Sequence, residues 1–546
     1  MNHAIFDNNN IKWTKFLLVL IIIIGAIPRF YNINNIGVSG SDTFLYWHFA
    51  SYWSEGNYTF QLDEYSASFY RPLAYFAYGL VAKLLPNQDY AIKLFNGITD
   101  LFNIFLIYLI GKHASHTRVG LYASLLYACS PPMISYSRTE LLHTFSITFT
   151  LISVFLFIKF LICTNNKKNL LLVATGFTLS MAAHIHTSTA FIIFGFGLLL
   201  LLNISQNGLG QYQQGQTILK NIGILGASFA LPILFVLPLF IDQLPEISQN
   251  IKYMLNERSE TITSLDSIVS RFHIPPSLYK TIKSSLIFPV QTVYGLYWIN
   301  IIMILLNMFY RRTAGLAVFS PIIIATGFVL SLMLILPKET DQRTLTPLIP
   351  LLILQFCITT YTILSTFNLK ATANAALALM TIYYVAQSLP IIIKNSVNVP
   401  VSTYKTLYNE LKNSLVGSGT ILFQDNPANN VRPESIRPYF WKQAVYYHDC
   451  REPLDAFVQR HQVRWIMIPA EPIHYTTNSL IIPPPKWAES CFEHKRDHQK
   501  MQQAGIVDSG WWIHRIFTED WLNDMIMNQK GTIIYESRNG KVIQLK

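Results

Sequence analysis

The sequence predicts a polytopic α-helical membrane protein followed by a soluble α/β domain. Three observations carry that reading. Of the 546 residues, 51% are hydrophobic and only 13% charged, where soluble proteins carry about 25% charged residues. The deficit is uneven: most of residues 16–393 consists of apolar runs split by short polar gaps, while residues 394–546 have an ordinary soluble composition. Basic residues, finally, concentrate in alternate gaps, as membrane topology demands.

A membrane-crossing helix needs about 20 mostly apolar residues. Segments of that kind run at 16–30, 90–110, 118–135, 141–162, 170–186, 188–203, 218–241, 284–310, 314–336, 347–367 and 371–393. They make about eleven spans, with the division inside 170–203 the least sharply marked. No small-residue cleavage site follows the first, which reads as a retained span and not a removed signal peptide. With the N-terminus inside, Lys12, Lys15, Lys112, Arg118, Lys167, Lys168, Lys220, Arg311, Arg312 and Lys370 fall on the inner side. The outer side receives the long loops 31–89 and 242–283, the short loop 337–346 and, after an odd number of spans, the tail.

In the tail, "GTILFQD" (419–425) and "VRWIMIPAE" (463–471) read as buried strands. "GTIIYESRNGKVIQLK" (531–546) reads as a hairpin with an Asn-Gly turn, and "TYKTLYNELKNSL" (403–415) has helical spacing. Residues 394–402, with Pro400, form the linker, so the domains are 1–393 and 394–546. Cys129, Cys163 and Cys357 fall in apolar runs; Cys450 and Cys491 lie in the tail, where pairing would need an oxidising compartment. The net charge of +11 comes without Lys/Arg runs interleaved with aromatics, which disfavours nucleic acid as a partner. Topology and anionic lipid account for the excess.

The residues able to carry chemistry converge on the outer face. Asp42 opens an acidic, aromatic loop that also holds Glu55, Asp63 and Glu64. It reads as a helix cap or as a catalytic or metal-binding carboxylate. The loop's aromatic rings suit either the membrane interface or stacking on sugars. Arg71 stands directly before Pro72, which starts an apolar helix; it snorkels to headgroups or binds a lipid phosphate. Arg138, Glu140 and His143 crowd the short turn between the third and fourth spans, a pattern of either a helix start or a site. His184 and His186 are two apart, a spacing that does not put both on one helix face. That favours a turn with one histidine at the site over a metal centre. Arg343 precedes a Pro-containing span and has the planar fork that grips phosphate, or else anchors the helix at the interface. Residues 256–269 are polar enough for a substrate-covering segment or a plain loop. There is no P-loop, GxGxxG, HExxH or GxSxG, which disfavours a nucleotide-driven pump.

With these residues in place the chain resembles the GT-C superfamily of membrane glycosyltransferases, which use polyprenyl-phosphate-linked sugars. Protein O-mannosyltransferases, oligosaccharyltransferase catalytic subunits and aminoarabinose transferases of lipid A are among its members. The resemblance rests on "GSDTFLYWHFASYWSEG" with Asp42 at the acidic place, on "YRPLAYF", on "SRTELLHTF" and on "QRTLTPLIPLL". The oligosaccharyltransferase WWDYG motif is absent, "WWIHR" (511–515) sharing only the Trp pair; the second loop has no DxD, and Thr43 follows Asp42. The resemblance implies a GT-C-like fold with its active site and tail outside an inner or plasma membrane. It implies inverting transfer from a lipid-linked donor to a glycan, lipid or protein acceptor. Asp42 is then base or metal ligand, and Glu140 second carboxylate or orienter. Arg138, Arg343 and Arg71 are phosphate-binding candidates, and His143, His184 and His186 are candidates for acceptor binding, metal binding or orientation. A divalent cation, Mg or Mn, is the candidate cofactor. The rival reading is a transporter or a polysaccharide export, polymerisation or ligase protein. Polar residues on one face and the lack of a visible repeat favour the enzyme.

Overall fold

The computed structural model describes residues 2–36, 46, 50, 71–85, 88–163, 167–201, 215–236, 346–366, 369–397, 420–423, 445–446, 458–469, 531–537 and 540–545. Asp42, Arg343, the loop 242–283, the spans expected at 284–310 and 314–336, the helix expected at 403–415, and Cys450 and Cys491 lie outside the described residues. The chain divides into two compact units. One comprises Met1–Ile33, Gly56–Pro86 and Ala91–Asn398, the other Asn34–Glu55, Asn87–Tyr90 and Val399–Lys546.

The first unit is helical. Its described helices are α1 (Asn2–Phe30), α2 (Pro72–Leu84), α3 (Gln88–Ala114), α4 (Thr117–Ala128), α5 (Pro131–Ser137), α6 (His143–Ile162), α7 (Lys168–Ile185), α8 (Ile192–Leu201), α9 (Gly215–Val236), α10 (Ile349–Thr366) and α11 (Lys370–Ile392). Pro72 starts α2, as its neighbours in the sequence led one to expect. The single span expected at 118–135 is instead two helices. Pro131 and Pro132 lack the N–H groups needed to continue the ladder, and Ser130, before them, is pushed to an extended φ −75°, ψ 114°. The uncertain division inside 170–203 falls at His186, which is extended, followed by a tight turn at Thr187–Phe191.

Among the described residues, Lys12–Asn35, Tyr90–Ala114, His143–Ile162 and Ala371–Ile392 are long and apolar enough to cross a membrane. This unit is therefore an integral membrane fold. Trp13, Phe16, Val19, Ile23 and Ile27 of α1 are exposed, as lipid-facing residues should be. Helix α6 packs along α7, α7 along α9, and α10 against α4 and α11. Ile107, Ile110, Leu126, Ile147, Leu151, Phe157, Phe196 and Leu354 belong to the core between them. Apolar burial between helices gains little in lipid, so close backbone approach matters more. At the α3–α4 crossing a Cβ on Gly111 would lie 2.7 Å from the Cα of Gly120, and one on Gly120 would lie 2.5 Å from the Tyr108 carbonyl. Only glycine fits on either side.

The second unit holds a five-stranded sheet of β1 (Thr420–Phe423), β2 (Val445–Tyr446), β3 (Val463–Pro469), β4 (Gly531–Ser537) and β5 (Gly540–Leu545) in the order β2-β1-β3-β5-β4. β1 runs parallel to β2 and β3, while β5 is antiparallel to β3 and β4. Adjacent residues in a strand face opposite ways. Trp465 and Ile466 of β3, and Val542 and Ile543 of β5, are all buried, so these two strands are covered on both faces.

Candidate active site

One face of α3 organises the polar part of the helical unit. Within "KLFNGITDLFN" (93–103), Lys93, Asn96, Asp100 and Asn103 recur at spacings that place them on one side of a helix. All four are 0% exposed. Inside a membrane fold such groups need partners, and each has them. Lys93 Nζ is 3.1 Å from Glu140 Oε1. Asn96 Nδ2 donates to the carbonyls of Thr139 and Leu141 at 2.8 and 3.0 Å, and its Oδ1 accepts from the Tyr78 hydroxyl of α2 at 2.9 Å. Asp100 accepts from Arg29 Nε of α1 at 2.7 Å and from the Tyr127 hydroxyl of α4 at 2.6 Å. Asn103 Nδ2 donates to the Thr144 carbonyl at 3.0 Å, and its Oδ1 accepts from Thr148 Oγ1 at 2.7 Å.

The stripe thereby grips the turn from Arg138 to Leu142, which links α5 to α6. Buried turn carbonyls need donors, and Asn96 supplies them. Glu140 is wholly buried against Lys93. Arg138, 1% exposed, points the other way. Its Nη1 donates to the carbonyls of Pro28 and Tyr31 at the end of α1, and its Nη2 to the Ser396 carbonyl at 3.5 Å. Burial pushes this guanidinium down to about 10, which leaves it charged at neutral pH.

A stack of rings borders the same turn. His143, the first residue of α6, stacks on Tyr136 with centroids 4.6 Å apart. Its other neighbour is His186, at the end of α7, also 4.6 Å away. One residue before His186, the Ile185 carbonyl accepts from Arg71 Nη1 at 3.3 Å. Arg71, the end of α7 with His186, and His143 are linked in this way, and the Lys93–Glu140 pair lies on the turn three residues before His143. His184, near the end of α7, has its Nε2 buried with no hydrogen-bond partner among the described residues.

Residues 70–236 match the sequence model of the dolichyl-phosphate-mannose-protein mannosyltransferase family. ArnT from Cupriavidus metallidurans in its apo state superimposes with a TM-score of 0.53 at 9% identity, with 98% of each chain covered. The same protein bound to undecaprenyl phosphate gives 0.51 at 8% identity, covering 97% of this chain and 98% of that one. The Archaeoglobus fulgidus oligosaccharyltransferase in complex with Zn and sulfate gives 0.51 at 11% identity, covering 83% of this chain and 68% of its own. No curated protein sequence matches the chain. The chain has the GT-C fold.

The stretch matched by the family model contains Arg71, Arg138, Glu140, His143, His184 and His186, the described candidates from the sequence. The structure brings Arg71, His143 and His186 together, with Glu140 three residues before His143 on the adjoining turn. It directs Arg138 to the end of α1. Among the described residues no three His, Cys, Asp or Glu side chains gather to hold a metal ion, so these residues alone do not make a metal centre. Sequence reading missed Arg29, Lys93, Asn96, Asp100 and Asn103. For the four residues of α3 the signal was available: polar residues at helical spacing within an apolar run.

Proposed function

We propose that this chain is an integral membrane glycosyltransferase that moves a sugar or glycan from a polyprenyl-phosphate-type donor to an extracytoplasmic acceptor, with inversion at the anomeric carbon. The observation that carries the proposal is the family match over residues 70–236, which includes Arg71, Glu140, His143 and His186. Undecaprenyl phosphate bound to ArnT, a protein of the same fold, supports the donor class.

The chemistry needs a base, a charge-matched leaving group and dry surroundings. In the proposed step a hydroxyl or amine of the acceptor attacks the anomeric carbon. The bond from that carbon to the phosphate oxygen breaks, and its electron pair leaves with the lipid phosphate. The acceptor's proton passes to Asp42, the proposed base. Arg71 and Arg343 are the proposed cations for the developing phosphate charge. Glu140, set by Lys93, is the proposed second carboxylate, and His143 and His186 the proposed orienting groups on the acceptor side. The alternative role proposed for Asp42 is ligand of a divalent cation. The acceptor is a glycan, a lipid or a protein.

The test is a transfer assay in membranes or detergent with polyprenyl-phosphate and polyprenyl-diphosphate sugars, comparing wild type with Asp42→Asn at equal expression. Asp42-dependent release of lipid phosphate is expected. Folded protein that turns over none of these donors would overturn the proposal.

A further inference from the structure

We infer that Arg138 is a positioning residue, the C-terminal clamp of α1, and not a ligand of the donor phosphate. Its two terminal nitrogens donate to backbone, while its Nε is buried with no hydrogen-bond partner among the described residues. Nη1 serves Pro28 and Tyr31, and Nη2 serves Ser396, which lies just beyond α11. The last carbonyls of a helix have no partner within it. They are also the negative end of the helix dipole, where a cation is favoured and an anion is not. Helix α1 ends there: Tyr31 N–H makes its closing bond to the Ile27 carbonyl, and Asn32 takes a left-handed φ of 53°. A phosphate brought to this guanidinium would meet three carbonyl oxygens and the negative end of α1.

The arrangement suits arginine and not lysine. A planar fork reaches carbonyls on two different elements at once, which a single ammonium cannot. A second guanidinium works on the same turn of chain. Arg29 Nη1 donates back to the Gly25 carbonyl and across to the Ala128 carbonyl, both at 2.8 Å, while its Nε holds Asp100. The last turn of α1 is therefore gripped from two sides. In sequence, Asp42 follows this clamped end of α1. Small misplacement of a reacting group is expensive in rate.

The kinetic arm of the test rests on the transferase reading; the others do not. Arg138→Gln and Arg138→Lys are made in the full-length protein in detergent. Hydrogen exchange is followed over residues 27–36 and 393–397, along with equilibrium binding of undecaprenyl phosphate and steady-state transfer. The clamp predicts faster exchange in both segments. It predicts lipid-phosphate affinity within about twofold of wild type, and kcat down about tenfold or more with donor KM within about twofold. If Arg138→Gln does not fold, Arg138→Lys is scored alone on the same criteria. Unchanged exchange overturns the inference, and so does a loss of lipid-phosphate affinity of about tenfold or more. A wild type that transfers no sugar defeats the transferase reading and leaves the exchange and binding arms to judge the clamp.

Discussion

Replacing Arg29 with Met removes one partner of an ion pair whose two side chains are both 0% exposed. Three bonds go: Nε to Asp100 at 2.7 Å, and Nη1 to the Gly25 and Ala128 carbonyls at 2.8 Å each. Asp100 keeps the Tyr127 hydroxyl and Asn103 but loses its only described cationic partner. Breaking a buried pair in this one-sided way costs about 3–5 kcal/mol, whereas replacing both partners by apolar residues is often nearly neutral. Arg29→Met with Asp100→Leu also strands the Tyr127 hydroxyl and two helix carbonyls, at about 1–3 kcal/mol each where no other partner is found. The double variant should therefore still fall well short of the sum of the singles, with a coupling of about 2 kcal/mol or more. Reversible unfolding in mixed micelles measures all three. An ordinary interhelical hydrogen bond in a membrane is worth about 0.6 kcal/mol. A loss below about 1 kcal/mol for Arg29→Met, or strict additivity in the cycle, would refute the claim that this pair is a charged lock.

Four further outcomes follow from the same geometry. Lys93→Met breaks the buried Lys93–Glu140 ion pair and should lower stability by about 3–5 kcal/mol, read by the same unfolding assay. Gly120→Ala puts a methyl 2.5 Å from the Tyr108 carbonyl and should destabilise by about 1–3 kcal/mol. Gly223→Ala, in α9, meets nothing within 4 Å and should stabilise by about 0.5–1 kcal/mol through helix propensity; thermal melts of the two proteins should move in opposite directions. His143→Phe keeps a ring against Tyr136 and His186 but removes the nitrogens. Stability within about 1 kcal/mol of wild type with loss of transfer would assign His143 a chemical part, and retained transfer would reduce it to packing.

Hydropathy located the described helices because span length is a physical requirement of the bilayer, and so α1, α6, α7 and α11 lie where apolar runs lie. It failed at 118–135, because a window average does not register that Pro131 and Pro132 remove two ladder donors. The strands at 420–423, 463–469 and 531–545 fall within the segments read as strands, since their apolar patterns are local. The site was legible only in part. Arg71, Arg138, Glu140 and the histidines stand out because they interrupt apolar sequence at span ends. Lys93 and Asp100 sit inside α3 instead, and their meaning depends on which residues of other helices face them. Arg29 and Asp100 are far apart in sequence, and nothing local announces that they pair. The same limit applies to Arg138. A lone arginine in a turn has the chemistry for a phosphate, and only the carbonyls around it show the helix end it serves.

The α3 stripe bears on how such a fold keeps a site rigid in lipid. Apolar contact discriminates weakly between one helix arrangement and another when the solvent is itself apolar. Directional groups discriminate strongly, because a misplaced helix would leave a buried charge or amide unsatisfied. Lys93, Asn96, Asp100 and Asn103 each reach a different partner: the Glu140 carboxylate, the turn carbonyls, α1 and α4, and the first turns of α6. A register shift of α3 by one residue would break all of these at once. Glycine at the α3–α4 crossing adds a steric stop on the opposite requirement, closeness. Together they hold the 138–142 turn by its backbone as well as by Glu140. The carboxylate and the ring stack beside it therefore start from a frame that is already set, which is what preorganised charge stabilisation requires.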